Sequence, residues 1–367
     1  MHHETKLIIL QVKFNNTQAA FFFTLRNRVN EYFKTTQKKS TGDFRLYLKT
    51  ITIFAALVAL YVWLVFLTPD NLWLGLGLSA ITGFVMALIG FNVMHDGSHG
   101  SYSSKGKLNA AMAYSINILG ANAFFWAQKH NINHHTYTNI EGIDDDIDVR
   151  PFFRIHSNQK KSWFHRYQHI YWPFLYGLTY LFWAYYRDFN KYITRKIADH
   201  TPMQKITLKE HLIFWASKIV HVGIFVVLPA LLIGWGKTLL GYGVAILVLG
   251  FTLAIVFQLA HVVEDIEFIT PTNSDKVDIE SDWAVHQMNT TANFATKSKV
   301  LSWLLGGLNF QVEHHLFPRV SHVHYPQLNK ILKQTCKEFN IHYREFPNML
   351  SAVKSHVLHL KHIGQAV

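Results

Sequence analysis

Eight histidines fall in four short groups whose spacing can bring imidazole nitrogens to a common centre. Trp126 to Asn139 reads WAQKHNINHHTYTN and sets His130, His134 and His135 among polar neighbours, just after an apolar run. On a helix, positions i and i+4 lie one above the other and i+5 sits about a quarter-turn round. His95 and His99 stand one turn apart in HDGSH, His261 lies in QLAHVVE, and His314 and His315 close NFQVEHHLFP. Neutral imidazole suits iron, copper, nickel and zinc. Eight rings are too many for one ion and suit two metals with positions left open. Gln311, three and four residues before His314 and His315, falls on their helical side and is a candidate further ligand or support for a metal-bound water. Metal-bound imidazoles need acceptors for their other ring nitrogen; Asp96, Asn309, Glu313, Glu264 and Asp265 are placed to serve.

The elements that must position these residues are membrane spans. Half of the 367 residues are hydrophobic and only 16% are charged, and the apolar ones are bunched. Ile51 to Leu67 and Trp73 to Met94 are uncharged and separated by TPDNL; His211 to Ile233 and Leu239 to Val262 form a second pair around GWGKT. Each block, with its flanks, is long enough to cross a hydrocarbon core of about 30 Å. The expectation is an all-α integral membrane fold, four transmembrane helices in two hairpins (about 51–67, 73–94, 211–233, 239–262). Lysine and arginine concentrate in the N-terminal segment, the long middle segment and the tail, which places both termini and the middle segment in the cytosol. The eight histidines then share one depth at the cytosolic surface.

Within the middle segment, Leu108 to Trp126 and Ile170 to Tyr186 read as interfacial helices. Leu7 to Phe14 reads as a short strand and Ala19 to Phe33 as an amphipathic helix. The chain divides into a cytosolic N-terminal segment (1–49), a membrane domain (50–317) and a cytosolic helical cap (318–367) with helices over Tyr325 to Phe339 and Pro347 to His362. No cleavable signal pattern precedes the first span. The net charge of +12 comes without a basic recognition motif, which points to anionic lipid or a phosphorylated substrate and away from nucleic acid. The single cysteine, Cys336, excludes a disulfide framework and a thiolate metal site.

HDGSH, KHNINHHTYTN and QVEHHLFP resemble the three histidine boxes of the membrane fatty acid desaturases. The glutamine opening the third box resembles the branch that includes front-end desaturases and bacterial linoleoyl-CoA desaturase-like relatives. The likeness runs from Asn92 to His324. It implies a fatty acyl desaturase with two iron ions (Fe2+/Fe3+), the eight histidines as ligands, and O2 and two electrons consumed in removing two hydrogens from an acyl-CoA or acyl-lipid. It also implies a multi-pass protein of a bacterial inner membrane or the endoplasmic reticulum. Many front-end members carry a fused cytochrome b5 with an HPGG haem signature; no HPGG occurs in these residues, so a separate ferredoxin or cytochrome b5 with its reductase is the expected donor.

Breaking an unactivated methylene C–H bond needs an oxidant stronger than any side chain. An acyl chain offers no polar handle along its length, so an apolar tunnel must aim it; candidates for the wall are Phe91, Phe124, Phe125, Trp126, Phe257 and Phe310. Arg150, Arg154, Lys160, Lys161 and Arg166 are candidates for a head-group anchor. The acidic run Asp144, Asp145, Asp146 and Asp148 lacks the glycine and closing glutamate of a calcium loop. His286 precedes a polar stretch, QMNTTANF, able to line the site; the other histidines read as surface, interfacial or capping residues. Two other functions compete. A hydroxylase on the same scaffold shares the hydrogen-abstraction step, although QxxHH followed by LFP favours desaturation. A metal transporter would place ionisable residues in mid-span, whereas these spans are polar mainly at one end.

Overall fold

The computed structural model describes residues 11–16, 19–271 and 276–366. The elements that concern the site are α1 (Ala19–Thr36), α2 (Phe44–Leu67), α3 (Leu72–His99), α4 (Gln168–Phe182), α5 (Leu208–Ile233), α6 (Trp235–His261), α7 (Trp283–Thr290), α8 (Gln311–Leu316), α9 (Tyr325–Glu338) and α10 (Met349–Gln365). Among them α2, α3, α5 and α6 are long and apolar enough to span a membrane. Their ends are set by capping. Asp43 accepts from the Arg45 N–H, Asn71 from Leu74 and Thr207 from Glu210, which satisfies otherwise orphaned donors. Gly234, at φ 87°, separates α5 from α6. Ile51, Val58, Phe66, Ile219 and Leu231 remain exposed, the outward face a bilayer would cover.

α6 is the axis of the bundle, with α3 on one side and α4 on another. Leu249, Ile255, Val256 and Leu259 join Met86, Ile89 and Phe91 in the main core. α4 was expected to lie at the interface, and it is not among the span-grade helices. It meets α6 where Trp172 stacks on Phe251, and the helical stretch that follows it, Trp183–Arg187 and Asp188–Thr194, reaches Tyr242 of α6 through Tyr185 and then α5. There Asp188 pairs with Lys218 at 2.8 Å and Tyr192 stacks on Phe214. The other expected interfacial helix is broken into Gly106–Ala113, Ser115–Ile118 and Ala123–Ala127. The interruption falls at Gly120 (φ 95°), after which the Asn122 side chain caps the next turn.

α1 packs Phe21, Leu25 and Val29 against Leu328, Leu332 and Cys336 of α9, and α10 docks on α4. Gln11–Phe14 pairs in parallel with Lys276–Ile279. The rest of the expected first strand, Leu7 to Leu10, lies outside the described residues.

Candidate metal centre

Two π-helical turns build the first two histidine groups. In α3 the turn Gly90–Met94 ends with the His95 N–H bonded to the Gly90 carbonyl, and His95 and His99 follow one α-turn apart with ring centroids 4.7 Å apart. The second group departs from the expected α-helix: Gln128–His134 is wound with i→i+5 bonds, and the His135 N–H reaches the His130 carbonyl. The extra residue per turn removes the quarter-turn offset and brings His135 back over His130, with Nε2 atoms 3.3 Å apart. Such bulges recur at functional sites. The third group rides on α8, whose start is tied by the Asn293 side chain accepting from the Val312 N–H at 2.8 Å. The preceding loop lies so close to α3 that a Cβ on Gly306 (φ 59°) would stand 2.4 Å from the Phe91 carbonyl oxygen, a position only glycine accepts.

All eight histidines are buried and converge at one end of the bundle. His95, His99, His130 and His314 form one set whose ligand atoms lie within 4.8 Å of one another, and His134, His261 and His315 form a second. His135 stands between them, its ring 4.5 Å from both His314 and His315. In five rings Nδ1 is directed at a neighbouring oxygen: Asp144 for His134 at 3.0 Å, Gln287 for His315 at 2.8 Å, Tyr325 for His314 at 3.1 Å, the Thr290 carbonyl for His261 at 3.2 Å and Asp146 for His130 at 3.5 Å. The Nε2 atoms of His99, His134, His261, His314 and His315 are buried with no partner among the described residues. An unpaired buried nitrogen costs about 1–3 kcal/mol, and a coordinated metal removes that cost. The arrangement therefore fits two ions, with the outward nitrogens of all three rings of the second set and of His130 and His314 in the first already directed at an oxygen. Asp146 reaches only outward nitrogens, those of His130 and His134, so it supports the two sets and does not begin a third.

Burial, reinforced by neighbouring imidazoles, holds His130, His135, His314 and His315 well below the usual imidazole range; they are neutral, the form that ligates. Burial pulls His134 the same way, but the Asp144 and Asp146 carboxylates outweigh it and raise its pKa.

Of the five expected outer acceptors, none makes a hydrogen bond or ion pair to a site histidine among the described residues. Asp96 accepts from Ser321 at 2.8 Å and His322 at 3.0 Å, and His322 continues to Lys49, so this carboxylate ties α3 to α2 and the cap. Asn309 donates to Ala295 and Ser302. Glu313 is held by the Asn293 and Asn329 amides, and burial pushes its carboxyl up to about 7. Glu264 pairs with His362 at 3.2 Å. Asp265 sits in a turn at φ 64°, beyond the point where α6 ends. Asp144, Asp146, Gln287, Thr290 and Tyr325 do the expected work. The acidic run and the polar stretch QMNTTANF were the signals for four of them. His286 itself bonds the Thr138 carbonyl at 2.9 Å. Of the histidines expected as surface, interfacial or capping residues, His156, His165, His221, His322 and His324 are buried, and His165 belongs to a capping box with Ser162.

An apolar cavity of ≈ 220 Å³ opens beside the first set. Phe91, Trp126 and Phe257 line it, together with Gln311; Phe124, Phe125 and Phe310 pack elsewhere. Its lining also carries Lys129, Arg187 and Lys191, each paired with Asp145 or Asp146. None of the expected anchors Arg150, Arg154, Lys160, Lys161 and Arg166 lines the cavity. Arg154 is buried and spends its guanidinium on the carbonyls of Gln159, Ile363 and Ala366. Arg150 pairs with Asp148 and Asp199, while Lys160, Lys161 and Arg166 are exposed.

A family model described as "Fatty acid desaturase" matches residues 71–347. An acyl-lipid (8-3)-desaturase of Physcomitrium patens is 36% identical over 348 residues, covering 94% of this chain and 72% of that protein. Two proteins described as sn-1 linoleoyl-lipid 6-desaturase are each 33% identical. That of Arthrospira platensis aligns over 92% of this chain and 90% of its own length, and that of Synechocystis sp. over 97% and 98%.

Proposed function

This chain belongs to the fatty acid desaturase family, and from that premise we propose that it converts a –CH2–CH2– unit of a lipid-bound acyl chain into –CH=CH–. One O2, two electrons and two protons are consumed and two waters released. The observation that carries the reading is the set of buried, unpartnered Nε2 atoms in a histidine cluster whose His95 and His130 line an apolar cavity. His95, His99, His130 and His314 would hold one iron, His134, His261 and His315 the other, with His135 between them. When bound, the iron pair supplies the oxidising power to abstract hydrogen that no side chain has.

The protein's own part is positioning. Trp126 stacks on His130 at 4.3 Å, and Phe257 lies 5.0 Å from both His134 and His261. These rings bring the cavity wall up to the histidines, exclude water and fix which methylene lies nearest. A misplacement of about 1 Å costs on the order of a hundredfold in rate. Gln311, buried on the same wall, is a further ligand or the support of a coordinated water. Acyl-lipid is preferred to acyl-CoA as substrate because the cations that line the cavity, Lys129, Arg187 and Lys191, are already paired with Asp145 and Asp146. The active site and both termini face the cytosol, and a separate ferredoxin or cytochrome b5 delivers the electrons.

The test is expression in a host lacking polyunsaturated lipids, with double-bond positions read by mass spectrometry and iron counted per purified chain. A new double bond with bound iron is the expected result. A hydroxy acid in its place would assign the scaffold to hydroxylation.

A further inference from the structure

Where the cavity beside the histidines ends, a second one begins. The first, ≈ 220 Å³, runs along α6 past Ala254 and Leu253 to Leu249. The second, ≈ 80 Å³, lies deeper between the four spans and is bounded by Leu64 of α2, Phe225 of α5 and Ala245 of α6. Among the described residues, Met86 of α3 is the only one in both linings. One turn before it, α3 and α6 touch backbone to backbone: a Cβ on Gly83 would stand 2.0 Å from the Ala245 carbonyl oxygen. That part of the wall cannot yield without parting the helices. The Met86 side chain can, because a thioether with three rotatable bonds adapts its shape at little cost.

We propose that Met86 is a movable partition in the acyl-chain channel and that the cavity behind it receives the methyl end of chains longer than the first cavity holds. The inference rests on the desaturase reading above. It makes chain length a property of one side chain far from the metal centre. The remaining depth, from Leu249 to Gln258 on α6, is about 13 Å at 1.5 Å per residue, and its lining, Met94 included, faces the first cavity alone.

The experiment compares the wild type with Met86→Ala, Met86→Val and Met86→Phe as full chains in a host fed acyl chains lengthened two carbons at a time. Products are read by mass spectrometry, and bound iron serves as the check on folding. One methylene in an apolar pocket is worth roughly 10- to 200-fold in discrimination. Trimming Met86 to alanine or valine should therefore shift the ratio of long- to short-chain desaturation by about tenfold or more toward longer chains, and phenylalanine should shift it toward shorter ones. Leu64→Trp added to Met86→Ala refills the deeper cavity and should restore the original preference. Wild-type length preference in iron-replete Met86→Val and Met86→Phe overturns the partition. If the wild type desaturates no chain at all, the desaturase reading falls instead, and Met86 with it.

Discussion

His134 Nδ1 lies 3.0 Å from an oxygen of Asp144, and neither side chain reaches solvent. The same carboxylate also accepts the backbone N–H groups of Asn139 at 2.9 Å and Asp146 at 3.0 Å. One acid therefore folds the loop after the second histidine group and fixes a ring of that group with Nε2 facing inward. Asp144→Asn keeps the size and an acceptor oxygen but loses the charge. It should lower metal affinity about 10- to 100-fold, measured as metal retention against a graded chelator. Retention within twofold of wild type would remove Asp144 from the site's support.

The two sets of histidines make separate demands. His261→Ala removes one of three rings from the second set and leaves the first whole, so about half of the bound metal should be lost; His314→Ala should take the other half. His135 stands close to both sets, and His135→Ala should weaken both. Product formation should vanish in all three, and in His134→Ala as well. Metal counted per chain by elemental analysis decides: two full equivalents in His261→Ala would break the assignment.

Lys218, the charge inside α5, donates to Asp188 at 2.8 Å, to the Gly120 carbonyl at 2.7 Å and to that of Ala184 at 2.6 Å. It ties a span, the broken middle segment and the helix after α4 into one joint. Removing one member of a buried pair strands the other and costs about 3–5 kcal/mol. Lys218→Met should fall in that range by thermal unfolding in detergent, and adding Asp188→Leu should recover a large part of the loss. A single variant as stable as wild type would mean that the charge is not confined.

The spans were legible because apolar blocks of this length have few other uses, and the histidine groups because metal chemistry concentrates one residue type. The π turn at Gln128–His134 was not. It arises from how the segment packs, and the same spacing in sequence suits an ordinary helix. The supports were misplaced for a related reason. Asp96 and Glu313 adjoin histidines in sequence, but on a helix adjacent side chains point in different directions. The acids and amides that reach the rings come from loops and helices ten to twenty-nine residues away, such as Asp144, Gln287 and Thr290. The head-group candidates failed on a different point. Arg154 is needed inside by the carbonyls at the end of α10, and charge alone does not reveal that.

α10 also secures the end of α6 that carries His261. His356 directs Nδ1 at the Val262 carbonyl, 2.5 Å away, and Nε2 lies 2.8 Å from the Tyr176 hydroxyl. The neutral ring donates to the carbonyl and accepts from tyrosine, and charging it removes the acceptor. Burial pulls its pKa down to about 4, with the Val262 carbonyl opposing. The folded state thus binds this proton more weakly than the unfolded chain, whose histidine titrates at about 6.5. The stability it contributes is present above that pH and is lost as pH falls toward 4, at about 1.4 kcal/mol per unit. Between pH 6.5 and 5 the loss should be about 2 kcal/mol. His356→Gln should be less stable at pH 7 by about 1 kcal/mol, yet lose less on acidification than wild type. Unfolding midpoints in detergent at pH 7 and pH 5 test this, and equal acid losses in the two proteins would exclude His356 as a source of the sensitivity.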